Sequence, residues 1–365
     1  MHIVIISYDF CLEAGGIQNT SYLLAQELSK EADVTCFSPL GSHEINEGTI
    51  CDIKSSHNQW SLQKFTIPVI KEIYSLHKAK KIDYILCTTY FMSYNVLPLS
   101  MAYNIPYGIM THGNEVMPFR GSFIRNNINA LRRFFVLRFA KDIFANSRYT
   151  QNLVNNICKY SKCKLVPPPI DLIPESKCYN YKRDVLFSIG RIVERKGFHL
   201  VLKALPRVLK TYPTIKYIIA GDGDYLNELE NIVTSLSLQE NVKFVGKISE
   251  EEKMHYLREC GLFIMPSYVI KNERQVEGFG LVYLEANNYG KFVIGSNSGG
   301  VPDAINEPST GFIVNEDCVE AVEDAILKFY DPNFKYNPED CIRWAGKHHI
   351  SKIGKLYLDE IISKS

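Results

Sequence analysis

The decapeptide SIGRIVERKG, residues 188–197, runs an apolar strand into a glycine and then sets out Arg191, Arg195 and Lys196. A strand that breaks at a glycine and gives way to a helix belongs to a parallel α/β sheet, whose ligands gather outside the strands' carboxyl ends. Outward from this stretch, short apolar runs alternate with longer amphipathic ones. The spacing predicts strands at Val185–Gly190, Lys216–Ala220, Val242–Val245, Leu262–Pro266 and Phe292–Gly295. Helices are expected between them at Leu200–Lys210, Tyr225–Ser235, Glu250–Glu259, from Gly280 to Asn288, and at Cys318–Phe329. The last segment, Glu339–Ile362, is helical by pattern.

The first half shows the same alternation. His2–Ser7, Asp33–Ser38, Tyr84–Thr88, Tyr107–Thr111 and Asp142–Asn146 read as strands, with helices at Ile17–Ser29 and Ile124–Ala140. Between the halves lies LVPPPID, Leu165–Asp171, whose three consecutive prolines allow neither a helix nor a central strand. We place the domain boundary there. A chain of 365 residues suits two ordinary domains. The expected class is α/β, with two Rossmann-like parallel-sheet domains facing across a cleft, over residues 1–168 and 169–338, and a closing helix over 339–365.

Composition narrows the function. A net charge of +1, with 46% hydrophobic and 22% charged residues, describes a globular chain and argues against a general nucleic-acid binder. The amino terminus has no basic lead-in or small-residue cleavage site, and no apolar run reaches the roughly eighteen residues of a membrane span. The ten cysteines are scattered, with no C-x-x-C pair. They are expected to be buried or idle thiols in a cytoplasmic protein.

Several stretches carry chemistry. Arg191, Arg195 and Lys196 at a sheet's carboxyl edge suit a diphosphate, although a solvated basic loop has the same residues. In EGFGLVYLE, Glu277–Glu285, Gly278 and Gly280 free the backbone, and the unpaired amides of the following helix favour an anion. Glu285 lies one turn into that helix, where a carboxylate can accept from paired ribose hydroxyls, and Glu277 stands before the turn. A helix with an acidic first turn is the plainer reading. NSGGVPD, Asn297–Asp303, is a further glycine pair or simply a turn. AGDGD, Ala220–Asp224, has Leu226 where the dinucleotide fingerprint needs its third glycine, which speaks against NAD. In the first half, Gly15 and Gly16 offer backbone to an anion, and His112 stands at a strand tip as packing, surface or catalyst. Arg120, Arg125, Arg132, Arg133, Arg138 and Lys141 interleave with phenylalanines and no acid. The segment 119–141 is either a contact for an anionic inner-membrane surface or a lipid-phosphate acceptor, or a core-packing helix with a basic outer face.

In their order, GGI, THG, S-x-G-R-x-x-x-x-K-G, A-G-D-G, E-G-F-G-L-x-x-L-E-A and S-G-G-x-P-D resemble the family 4 retaining glycosyltransferases of GT-B fold, from Gly15 to Asp303. The likeness is strongest in Val276–Ala304, which resembles the bacterial mannosyltransferases related to those acting on phosphatidylinositol. The resemblance implies that Gly16 offers its amide to the donor phosphate and His112 sits beside the transferred sugar. Arg191 and Lys196, next to Gly190, hold the diphosphate. Glu277 binds sugar hydroxyls with the amides of Phe279 and Gly280, Leu281 meets the phosphate, and Glu285 binds the ribose. Val245, Gly246 and Lys247 lie near the base, and the final helix crosses back to the first domain.

The implied activity is transfer of a hexose from GDP-mannose or a UDP-sugar, with retention, to a glycan or lipid-linked acceptor. No carboxylate pair is placed as in a retaining hydrolase, so same-face attack stabilised by cations and helix amides is expected. Neither a cofactor nor a metal is expected. A sugar-nucleotide epimerase on the same fold and a non-catalytic binding subunit are the alternatives.

Overall fold

A computed structural model describes residues 1–7, 16–38, 52–55, 66–117, 123–159, 163–171, 182–270 and 275–362. The chain divides into two compact units, Met1–Asp171 with His349–Ser365, and Leu172–His348.

The first unit carries strands β1 (His2–Ile6), β2 (Asp33–Ser38), β3 (Asp52–Ser55), β4 (Tyr84–Cys87), β5 (Tyr107–Thr111), β6 (Asp142–Ala145) and β7 (Cys163–Leu165). They form one parallel sheet in the order β3-β2-β1-β4-β5-β6-β7. Its helices are α1 (Gly16–Leu28), α2 (Thr66–Ala79), α3 (Tyr90–Tyr103), α4 (Phe123–Phe139) and α5 (Arg148–Ile157). The second unit has β8 (Lys182–Ile189), β9 (Lys216–Ala220), β10 (Val242–Gly246), β11 (Cys260–Ile264), β12 (Phe292–Ser296) and β13 (Gly311–Val314), ordered β10-β9-β8-β11-β12-β13. Around them lie α6 (Phe198–Thr211), α7 (Leu226–Ser235), α8 (Glu250–Glu259), α9 (Leu281–Asn288), α10 (Val301–Ala304), α11 (Val319–Tyr330) and α12 (Pro338–Ala345), and the chain closes with α13 (Ile350–Ile362).

Strands covered on both faces read as continuous apolar runs, and β1, β11 and β12 are buried along their whole length. Alternate residues of β1 point to opposite faces. Val4 and Ile6 enter a core lined by Ile73, Val96 and Val136, while Ile3 and Ile5 enter another with Leu24, Ala25 and Leu28.

That second face explains the fate of the carboxyl-terminal segment. Ile353, Tyr357, Leu358 and Ile361 of α13 complete it, with the Tyr357 ring 4.6 Å from Phe144. The single helix expected over Glu339–Ile362 is two, separated by a 3-10 turn at Gly346–His348. α12 stays with the second unit, where Trp344 Nε1 donates to Ala304 O at 2.9 Å, so the part returning to the first unit begins at His349 rather than residue 339. The proline connector runs extended into it: Ile350 N donates to Ile170 O at 2.9 Å. The unit boundary falls at Asp171/Leu172, three residues beyond the expected one.

Pattern reading missed β3, β7, β13, α2, α5 and the helix α3, the last carrying Pro98 inside it and apolar almost all round. A helix without a polar face has no period to read.

Candidate functional site

In the second unit the loops at the carboxyl ends of β8, β9 and β10 are tied to one another. Gly190 N donates to Ala220 O at 3.1 Å, Ile192 N to Asp222 O at 2.8 Å, and Gly221 N to Gly246 O at 2.7 Å. A Cβ on Gly221 would stand 1.9 Å from Gly190 O, and one on Gly223 2.2 Å from Ile192 O. Both have φ in the positive region, +131° and +158°. The glycines of AGDGD therefore let two strand-end loops lie backbone to backbone, a packing requirement rather than a dinucleotide fingerprint.

The β8 loop then delivers its cations unequally. Arg191 is exposed, and its side chain makes no hydrogen bond or ion pair among the described residues. Lys196 turns back over the strand end, its Nζ 3.7 Å from where a Cβ on Gly190 would stand. There it donates to Glu277 Oε2 at 2.7 Å, and Arg195 NH1 reaches the same oxygen at 3.2 Å. The three side chains are only 11–17% exposed. Burial pushes the Glu277 carboxyl up, but the charges and hydrogen bonds of Lys196 and Arg195 outweigh it and hold the group below the usual carboxylate range. Arg195 was visible in the basic stretch, yet nothing in its spacing said that it, rather than Arg191, would face Glu277.

Glu277 is also fixed through its backbone. Gly300 N donates to Glu277 O at 2.8 Å, and a Cβ on Gly299 would stand 2.5 Å from that oxygen. The NSGGVPD turn is thus the support beneath Glu277. Gly280, at φ +92°, caps α9, and a Cβ there would strike the Tyr283 ring at 2.5 Å. Tyr283 donates to Met265 O, pinning this helix start to the end of β11. Phe279 is buried with its ring 5.9 Å from His348, while Leu281 opens the helix half-buried.

Further along α9, Glu285 is held by Lys253 of α8, whose Nζ lies 3.2 Å from both carboxylate oxygens and 2.6 Å from Glu250. Burial lowers the Lys253 ammonium, but Glu285 and Glu250 raise it above its ordinary value overall. Lys253 was not foreseen, because contact between two helices cannot be read from spacing along either one. Val245 and Gly246 close β10, and Gly246 has open space on its Cβ side. Lys247 is exposed, 3.7 Å from Asp222. Asp222 and Asp224 have a D-x-D spacing. Asp222 accepts from the Gly223 amide at 2.8 Å, and among the described residues no three potential metal ligands come together.

The first unit's strand ends carry mostly neutral groups, with one carboxylate, Glu115. Gly16 opens α1 and is exposed, and Gly15 lies outside the described residues. Thr88 Oγ1 donates to Ser7 Oγ at 3.0 Å, Ser7 Oγ to Ser21 Oγ at 3.3 Å, and Ser21 Oγ to Ile17 O at 2.8 Å. His112 Nε2 lies 2.7 Å from Thr88 O, and the His112 amide donates to Glu115 at 2.5 Å. A carbonyl only accepts, so Nε2 carries the proton and, in the neutral ring, Nδ1 keeps its lone pair.

The basic segment 119–141 divides on folding. Ile128, Leu131, Phe134, Phe135 and Phe139 of α4 are exposed, as are Arg132 and Arg138. Arg133 turns inward and donates to Met117 O at 2.7 Å, and Lys141 reaches Ile361 O at 3.4 Å. Arg120 and the Arg125 side chain lie outside the described residues.

None of the seven described cysteines is in a disulfide. Burial pushes Cys260 and Cys341 up to about 12, so neither is a poised nucleophile. No described helix is long and apolar enough to cross a membrane.

Comparison with known proteins follows the same division of the chain. The fold aligns over its full length with Anabaena HepE solved with UDP (TM-score 0.80, 20% identity, 100% of each chain), and with sucrose-phosphate synthase from Thermosynechococcus elongatus (TM-score 0.80, 18% identity, 100% of each chain). The architecture is GT-B. The family model for glycosyl transferases group 1 matches residues 171–345, and that for glycosyltransferase family 4 matches residues 14–173. The chain belongs to the family 4 glycosyltransferases. Among curated relatives, a GDP-mannose-dependent monoacylated α-(1-6)-phosphatidylinositol monomannoside mannosyltransferase from Corynebacterium glutamicum is 34% identical over 46% of this chain and 42% of its own length. An α-monoglucosyldiacylglycerol synthase from Streptococcus pneumoniae is 27% identical over 64% and 56%. The chain spans about two fifths of the length of the mannosyltransferases it matches.

Proposed function

We propose that the chain is a retaining hexosyltransferase that takes its sugar from a nucleoside diphosphate donor bound by the second unit. The observation that carries this reading is the buried Arg195–Glu277–Lys196 group at the end of β8, beside the amide-rich start of α9. Cations and unpaired helix amides stabilise the charge that builds on a leaving diphosphate. In this reading Lys196 and Arg191 serve the diphosphate with the Leu281 amide, Glu277 the sugar hydroxyls with the amides of Phe279 and Gly280, and Glu285 the ribose. Gly16 and His112 are the first unit's candidates for phosphate and sugar. Val245–Lys247 lie on the base side.

Same-face attack, with the departing phosphate taking the acceptor's proton, needs no covalent intermediate, and the fixed cations supply the charge a metal would otherwise bring. GDP-mannose is favoured by the names of the mannosyltransferase relatives, a UDP-sugar by the nucleotide seen in the HepE structures. The relatives' names also favour a lipid-linked or glycan acceptor, and the setting we propose is bacterial surface glycolipid or polysaccharide synthesis at the cytoplasmic face of the membrane. The exposed phenylalanines and arginines of α4 support contact with an anionic lipid surface.

A thermal-shift panel of UDP, GDP and their sugars tests the donor, because a ligand of the folded state raises the melting point by mass action. No shift with any of them sinks the reading. NMR of the product's anomeric proton tests retention, and turnover unchanged by a chelator tests metal independence. Conversion of donor with no acceptor present would favour an epimerase.

A further inference from the structure

Glu277 has two cationic partners where one would neutralise it, and the two are not equivalent. Lys196 comes from the end of the β8 loop on a flexible stem. Arg195 is buried, with its Nε 3.4 Å from Gln275 Oε1 and its own carbonyl accepting from Tyr268 N at 2.8 Å. Arg195 is therefore anchored at two points of the chain beyond the end of β11, Tyr268 and Gln275, and its guanidinium stays beside Glu277 whatever Lys196 does. A single ammonium cannot serve a buried carboxylate and an arriving diphosphate equally well. Drawing Lys196 away from a sole partner would strand that carboxylate, which is strongly unfavourable in a buried site.

We propose that Arg195 is a positioning residue: it neutralises Glu277 so that Lys196 is released from the carboxylate to the donor diphosphate. This rests on the donor site assigned above. The arrangement gives Lys196 two states, on Glu277 without ligand and on phosphate with it, while the charge around Glu277 stays balanced in both.

The test is calorimetric titration of UDP and of GDP into the wild-type protein and the variants R195Q, E277Q and R195Q/E277Q. With Arg195 gone, Lys196 stays locked on Glu277, and affinity falls about tenfold, the equivalent of one charge-assisted hydrogen bond. E277Q alone leaves nucleotide binding equal to wild type or tighter. In that background R195Q has no further effect, because nothing holds Lys196 back. Equal weakening by R195Q in both backgrounds overturns the proposal, since Arg195 would then touch the ligand or merely support the fold. So does an R195Q variant that binds like wild type. R195K, which keeps the charge, guards against misfolding: it is expected within about threefold of wild type, and loss as large as that of R195Q counts against a charge role. If neither nucleotide binds the wild-type protein, the donor reading fails and takes this one with it. If either binds and the coupling is absent, only this proposal fails.

Discussion

The two units end their sheets in different chemistry. In the second, strand and helix ends hold buried or half-buried charges in pairs: Glu277 with Arg195 and Lys196, and Glu285 with Lys253. In the first, β1, β4 and β5 end in a neutral chain of Thr88, Ser7 and Ser21 hydroxyls, with His112 fixed on Thr88 O. Similar sheets thus support a charged edge and a neutral one. A charged edge stores opposite charges that an anionic ligand can re-partner. The largely neutral edge fixes one imidazole by its contact with a backbone carbonyl, Thr88 O.

The largest expected effect falls on the charged edge. Lys196→Ala should slow turnover by about 3 kcal/mol, the value of one charge-stabilising donor. Steady-state rates with saturating donor check this, and a near wild-type rate would erase the contrast between the edges. Glu285→Ala should weaken binding of free nucleoside diphosphate by roughly 1.5–3 kcal/mol, read by calorimetry.

Acid should also distinguish the units. Burial lowers His199 and His348 of the second unit, so the unfolded chain takes up their protons first as pH falls. Stability should drop below about pH 6.5 and level off beneath the lowered native values. His348→Gln should flatten part of that drop in thermal melts. The first unit's His2 is lowered by burial too, so a melt equally steep in both units would blunt this distinction. The smallest effect belongs to the neutral edge. Ser7→Ala removes two hydroxyl contacts and should cost about 1 kcal/mol in denaturant unfolding without affecting nucleotide affinity. A drop in affinity there would mean that the edges are coupled.

The fold was legible because sheets buried on both faces demand apolar runs, and because glycine and proline mark their breaks. LVPPPID located the unit boundary to within a few residues, since three prolines allow little but an extended connector. The apolar α3 and the split between α12 and α13 were not legible. One lacks a polar face, and the other depends on which sheet needs covering.

The site followed the same rule. Sequence alone put Lys196, Glu277, Gly280 and Glu285 at strand ends and a helix start, because backbone chemistry ties glycines and caps to such places. Tertiary structure alone decided that Arg195 and not Arg191 meets Glu277, that Lys253 meets Glu285, and that the glycines of AGDGD serve loop packing. Those are contacts between segments distant along the chain. Local spacing carries no information about which charges will share a buried pocket, whereas desolvation makes that pairing decisive once the chain has folded.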